Sequence, residues 1–186
     1  MRAISRTPAV ETVTTPSPED FGGVYDAHFH DIYRYIAGRL GQDVADEIAA
    51  DTFVVALRRR DHFDPAHGGI RPWLFGIATK LVAQHRRQEA RRYRALGRLG
   101  TDETVTGSHE ARVIDWVTAE GAGPLLAKAI GALSKGDRDV LLLNALGDLS
   151  HEEIAQALGI PYGTVGSRLN RARKKVRMML GEDVNG

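Results

Sequence analysis

The chain has no cysteine in its 186 residues. That excludes disulfides and thiolate metal sites and fits a reducing compartment. No apolar run is long enough to span a bilayer, and the start, MRAISRTPAV, lacks the apolar centre of a signal peptide. These absences predict a cytoplasmic protein with no membrane insertion. A Walker-type phosphate loop is missing, and no nucleophile stands at a telling distance from a base. His28 and His30 would diverge on a helix, while His62, His67 and Asp64 share a loop as a weak metal set. No metal, no cofactor and no catalytic activity are therefore expected. There is no alternating strand pattern and no internal repeat, which leaves an all-α fold class.

What is present is segregated charge. The formal net charge is only +1, but eight acids between Glu19 and Asp51 are opposed by Arg34 and Arg39 alone. From Arg58 to Arg98 the balance reverses, with eleven Lys and Arg residues against Asp61, Asp64 and Glu89. Blocks of opposite sign predict two partners, one basic and one anionic.

Apolar spacing predicts a helix over Phe21 to Leu40, with Phe29, Ile32, Tyr33, Ile36 and Leu40 inward and Gly41 as its end. A second helix is predicted from about Val44 to Arg60, with Ile48, Phe53, Val54 and Leu57 inward and its acids outside. His62 to Arg71 carries Asp-Pro and Gly-Gly turn signals and reads as a loop. Pro72 then opens a helix bearing Trp73, Leu74, Ile77, Ala78, Leu81 and Val82, which runs into arginines near Arg94. Residues 19–96 form a first domain, after a Thr-, Pro- and Ser-rich tail over 1–18 that is expected to be disordered. Residues 97–124 read as a flexible linker with one short helical turn around Ala111 to Val117. Helices over Leu125 to Leu133 and Asp137 to Leu146 begin a second small helical domain, 125–182.

The most informative segment is LSHEEIAQALGIPYGTVGSRLNRARKKVR, Leu149 to Arg177. Ser150 and Glu153 have capping-box spacing. Gly159 can take the positive φ of a tight turn, and Pro161 suits the first turn of the next helix. Val165, Leu169 and Ala172 give that helix an inner face, and Arg168, Arg171, Arg173, Lys174, Lys175 and Arg177 make the remainder cationic. This is a helix-turn-helix whose second helix can enter a major groove and neutralise phosphates.

Taken together, these segments resemble the extracytoplasmic-function sigma factors, the small two-domain branch of the sigma-70 family. IYRYIAGRLG, DVADEIAADTFVVAL and FDPAHGGIRPWLFGIATKLVAQHRR resemble the family's region two. ALSKGDRDVLLLNALGDLSHEEIAQALGIPYGTVGSRLNRAR resembles region four. The likeness covers about residues 21–95 and 125–180. It implies a non-catalytic factor that binds core RNA polymerase, through the largest-subunit clamp and the flap. It also implies contact with promoter DNA, both as duplex and as a melted single strand, and help in opening the duplex. An anti-sigma protein clasping both domains is compatible with the linker.

The residues divide accordingly. Asp43, Asp46, Glu47 and Asp51 share much of one helix surface and are expected to meet basic residues of polymerase. Arg86 and Arg87, with Arg91 and Arg92, are expected to track a melted minus-ten strand. The loop Phe63 to Ile70, with Asp64 and His67 as polar edges, is the expected reader of an extruded base, and Lys80 stands where relatives often line that pocket with Asn. Trp73 is expected to be core. In the duplex-reading helix Thr164, Ser167, Arg168, Asn170 and Arg171 are expected to face the minus-thirty-five element. Arg takes guanine there and Asn takes adenine, while Lys175 touches phosphate. Gly166 and Asn144 depart from the basic residues common at those positions. An independent DNA-binding regulator would share the helix-turn-helix but leaves the first domain and its acidic helix unexplained.

Overall fold

Seven α-helices account for most of the residues that the computed structural model describes, 21–97 and 123–181. The N-terminal tail and the short helical turn expected in the linker lie outside them. In order the helices are α1 (Phe21–Leu40), α2 (Ala45–Arg58), α3 (Ile70–Gly97), α4 (Pro124–Gly131), α5 (Lys135–Ala145), α6 (His151–Leu158) and α7 (Tyr162–Leu180). There is no strand among the described residues.

Local chemistry sets the boundaries. Gly41, at φ 90°, ends α1. Ser134 accepts from the Asp137 N–H at the start of α5. The predicted capping box at α6 is complete, with Ser150 and Glu153 each satisfying the other's backbone N–H at 3.2 and 2.9 Å. Gly159 is left-handed at φ 62° and turns α6 into α7. Pro161 sits one position earlier than expected, as the N-cap of α7 rather than within its first turn.

Helices α1 to α3 pack around Ile32, Ile36, Ile48, Phe53, Leu74 and Val82, and α4 to α7 around Ile130, Val140, Leu143, Ile154, Val165 and Leu169. Each such side chain contributes about 1.5–3 kcal/mol when fully buried, so apolar packing dominates both halves. One expectation fails on α2: Val54 and Leu57, read as inward, are 44% and 37% exposed. The inward positions are taken instead by the small residues Ala45, Ala49, Thr52 and Ala56, which let α2 lie close against its neighbours.

The two halves share one continuous core, with α3 lying against α6. A Cβ built on Gly76 would stand 2.5 Å from the Ala157 carbonyl oxygen, so only glycine permits this approach. Arg39 (4% exposed) donates from Nη2 to Asp139 (2% exposed) at 2.6 Å and from Nη1 to the Tyr35 hydroxyl at 2.5 Å. Lys135 completes the Asp139 carboxylate at 2.8 Å. Arg71 donates to Glu153 at 3.0 Å and to the Gly147 carbonyl at 2.6 Å. Ion pairs thus join the halves around an apolar contact.

Candidate nucleic-acid interface

The acidic surface lies on α2 and the short 3-10 turn before it, Gln42–Val44. Asp43, Asp46, Glu47 and Asp51 are all exposed. Val54 and Leu57 continue the same strip, three residues apart after Asp51. Tyr25 borders it and packs its ring on Phe29 (4.8 Å) and Phe53 (4.9 Å). The surface is therefore acidic at one end and apolar at the other. Periodicity alone does not find Val54 and Leu57 as surface residues, because exposed apolar side chains carry the same periodic signal as core.

The second surface runs from the loop before α3 along that helix. His62, Phe63, Asp64, His67, Gly68, Gly69 and Trp73 line a cleft of about 270 Å³, with Gln156 of α6 at its edge. Phe63 is buried and packs on Trp73 with ring centroids 5.2 Å apart, so it forms the floor. Trp73 is part of that packing, as expected. Asp64 and His67 stand exposed at the rim, joined by a 2.6 Å hydrogen bond. The Ala66 N–H and the His67 ring hold the Asp64 carboxyl below its usual range, so the rim keeps a charged acceptor.

Lys80, Gln84, Arg87 and Arg91 follow at helical spacing, which brings them onto one stripe of α3. All four are exposed. Arg86 is different. It donates to the Arg39 carbonyl at 2.7 Å, and burial, followed by the nearby Arg39 and Arg138 charges, pushes its pKa down to about 10. The structure separates it from the other arginines of its run.

The third surface is α7. Ser167, Asn170, Arg171 and Lys175 are exposed, while Thr164 and Arg168 are half-buried. The Ser167 hydroxyl donates to the Thr164 carbonyl at 3.0 Å. Arg171 pairs with Asp137 of α5, a residue to which the sequence alone assigns no role. Arg173 donates to the Asn144 side chain at 3.0 Å, and Lys175 to the Ala132 carbonyl at 2.6 Å. Gly166 sits within the helix, and a Cβ added there would meet nothing within 4 Å among the described residues. No cluster of three or more metal-ligating side chains occurs among the described residues, and no helix there is long and apolar enough to cross a membrane.

Comparison with known proteins gives two family matches: Sigma-70 region 2 over residues 24–92 and Sigma-70, region 4 over residues 125–176. The ECF RNA polymerase sigma factor SigC of Mycobacterium tuberculosis is 30% identical over 143 residues, which cover 77% of this chain and 74% of that protein. SigL of the same species is 32% identical over 161 residues, covering 86% and 88%. Among solved structures, CnrH in complex with the cytosolic domain of CnrY superposes with a TM-score of 0.61 at 27% identity, covering 90% of this chain and 91% of that one.

Proposed function

Since the chain belongs to the extracytoplasmic-function RNA polymerase sigma factors of the sigma-70 family, and so directs promoter recognition in transcription initiation, we propose that its three surfaces divide that task. In this reading residues 19–96 are region two, 97–124 the linker and 125–182 region four. The protein is a non-enzymatic factor of the cytoplasm. Asp43, Asp46, Glu47 and Asp51 meet basic residues of core polymerase, and Val54 and Leu57 add an apolar anchor beside them. The Asp64–His67 rim reads an extruded minus-ten base above Phe63, while Lys80 and Arg87 follow the melted strand. Ser167, Asn170 and Arg171 face the minus-thirty-five duplex, with Thr164 and Arg168 at their flank and Lys175 near phosphate.

The observation behind this division is the separation of charge between helices. Acids and exposed apolar residues occupy α2, and cations occupy α3 and α7. A partner that clasps both domains, of the anti-sigma kind, also fits the family. CnrH is a relative seen with part of another protein.

Geometry adds a requirement. Elements at minus ten and minus thirty-five lie about 25 base pairs apart, roughly 85 Å at 3.4 Å per pair. A folded body of this length has a radius of gyration of about 16 Å. The halves must part for both elements to be held at once. A linker over residues 97–124 reaches about 90 Å when fully extended, which is sufficient.

Equilibrium binding to core polymerase tests the reading. Reversing Asp46 and Glu47 to Lys weakens the complex by at least about tenfold, a change of about 1.4 kcal/mol, and leaves duplex DNA binding intact. Unchanged polymerase binding would remove α2 from the interface. A wild-type protein that binds duplex but never core polymerase would be an independent regulator.

A further inference from the structure

Arg171 already faces the duplex in the division above, but its partner Asp137 has no part in it. Asp137 lies in the first turn of α5, where its own N–H is tied to the Ser134 hydroxyl at 3.3 Å. Its carboxylate receives two hydrogen bonds from Arg171, Nη2 to Oδ1 at 2.8 Å and Nε to Oδ2 at 3.3 Å. The Asp137 side chain is 14% exposed and that of Arg171 is 64% exposed. The acid is thus held against the protein while the guanidinium reaches outward. Hydrogen bonding from Arg171 holds the Asp137 carboxyl below its ordinary range.

The edge used by the pair is decisive. A guanidinium has five N–H donors in one plane. Asp137 takes the side-on edge, Nε–H and one Nη2–H. Three donors remain, including the end-on pair from Nη1 and Nη2. That pair matches the O6 and N7 acceptors of guanine in the major groove. A long arginine held at one edge also has less rotamer freedom to lose on binding. Neighbouring cations are committed differently: Arg173 is turned to Asn144 and Lys175 to a backbone carbonyl. At Gly136 a Cβ would stand 2.9 Å from Arg168 Nη1, so the missing side chain leaves room for a second guanidinium beside the pair. The pair is bidentate and its acid is mostly shielded, so it also ties α5 to α7; folding controls separate that contribution from positioning.

We infer that Asp137 is a positioning residue that presents the end-on edge of Arg171 to one guanine of the minus-thirty-five duplex. This rests on reading α7 as the duplex-recognition helix.

Selection from a randomised duplex library by the full chain tests it, with base preference measured at every position. Arg171→Ala should abolish the preference for guanine at one position. Asp137→Asn should reduce the same preference about tenfold, within the range set by a bidentate pair. It should leave other positions unchanged and leave nonspecific duplex binding equal or stronger, because one negative charge near phosphate is removed. Asp137→Glu keeps the carboxylate and should restore part of the preference. Melting temperature and helix content serve as folding controls. If Asp137→Asn weakens all sequences equally, or leaves the guanine preference intact, the positioning role is overturned. If Arg171→Ala flattens no position while the wild type still selects a site, this inference falls and the recognition-helix reading stands. If the wild type selects no duplex sequence at all, both fall.

Discussion

At the scale of single residues, Arg39 shows how a charge can change meaning between sequence and fold. In the chain it reads as a counter-charge to the acids of the first domain. In the structure its partner is Asp139, 100 residues away, and both are buried. Its Nε has no hydrogen-bond partner among the described residues, so the site depends on the carboxylate. Removing one member of a buried pair costs about 3–5 kcal/mol, because the other charge is left without compensation. Here Arg39 can regain water if the halves part. Asp139→Ala is therefore expected to split one cooperative unfolding transition into two in calorimetry; a single transition at the wild-type midpoint would contradict this. The same pair gives a pH dependence. Burial pushes the Asp139 carboxyl up, but Arg39 and Lys135 outweigh it and hold it below the ordinary value. At Glu153 burial again pushes upward, and the Ser150 N–H and Arg71 outweigh it, so that carboxyl is lowered too. A carboxylate with a depressed folded pKa stabilises above its unfolded value and loses that contribution as pH falls through the folded one. Thermal stability should hold from about pH 7 to about 5 and fall below about pH 4, with a smaller fall in Asp139→Asn. Melting curves across that range check it.

At the scale of elements, the helices are legible because their apolar residues recur at helical spacing and their ends carry recognisable chemistry. Phe21–Leu40 ends at Gly41 as expected, and Ser150, Glu153 and Gly159 act at α6 as their spacing implies. Two features are not legible. Val54 and Leu57 continue the apolar pattern of α2, and nothing in one sequence separates a residue facing core from one facing a partner. Arg86 belongs to an arginine run, and its commitment to the Arg39 carbonyl is set by a contact 47 residues away. Gly166 offers a test at this scale. It lies in the interior of α7, and no described residue comes within 4 Å of a Cβ built there, so Gly166→Ala should stabilise the helix by about 1 kcal/mol. A rise in melting temperature with unchanged duplex affinity is expected. A fall in stability would mean that the glycine serves a conformation other than this helix.

At the scale of the whole molecule, the sequence reveals two helical units but not their contact. The pieces that join them are a buried ion pair, a glycine facing a carbonyl and an arginine on a helix-capping acid, each drawn from distant parts of the chain. Non-local pairings of this kind leave no periodic trace. The arrangement also has an electrostatic consequence for DNA binding. With several cations on α7 and a stripe on α3, affinity for promoter duplex should fall steeply and linearly in log–log form as salt rises. Lys175→Ala should reduce that slope by about one; fluorescence anisotropy across a salt series measures it, and a flat response would argue against groove docking.

Reconstituted transcription tests most directly whether this protein carries core polymerase to promoters through α2. The purified protein is added to bacterial core polymerase with a genomic fragment library, and RNA starts are mapped with the wild type and with the Asp46→Lys, Glu47→Lys double variant. New starts that share two spaced upstream elements are expected with the wild type and lost with the variant. Starts that appear equally with both proteins, or no complex between the wild type and core polymerase, would contradict it.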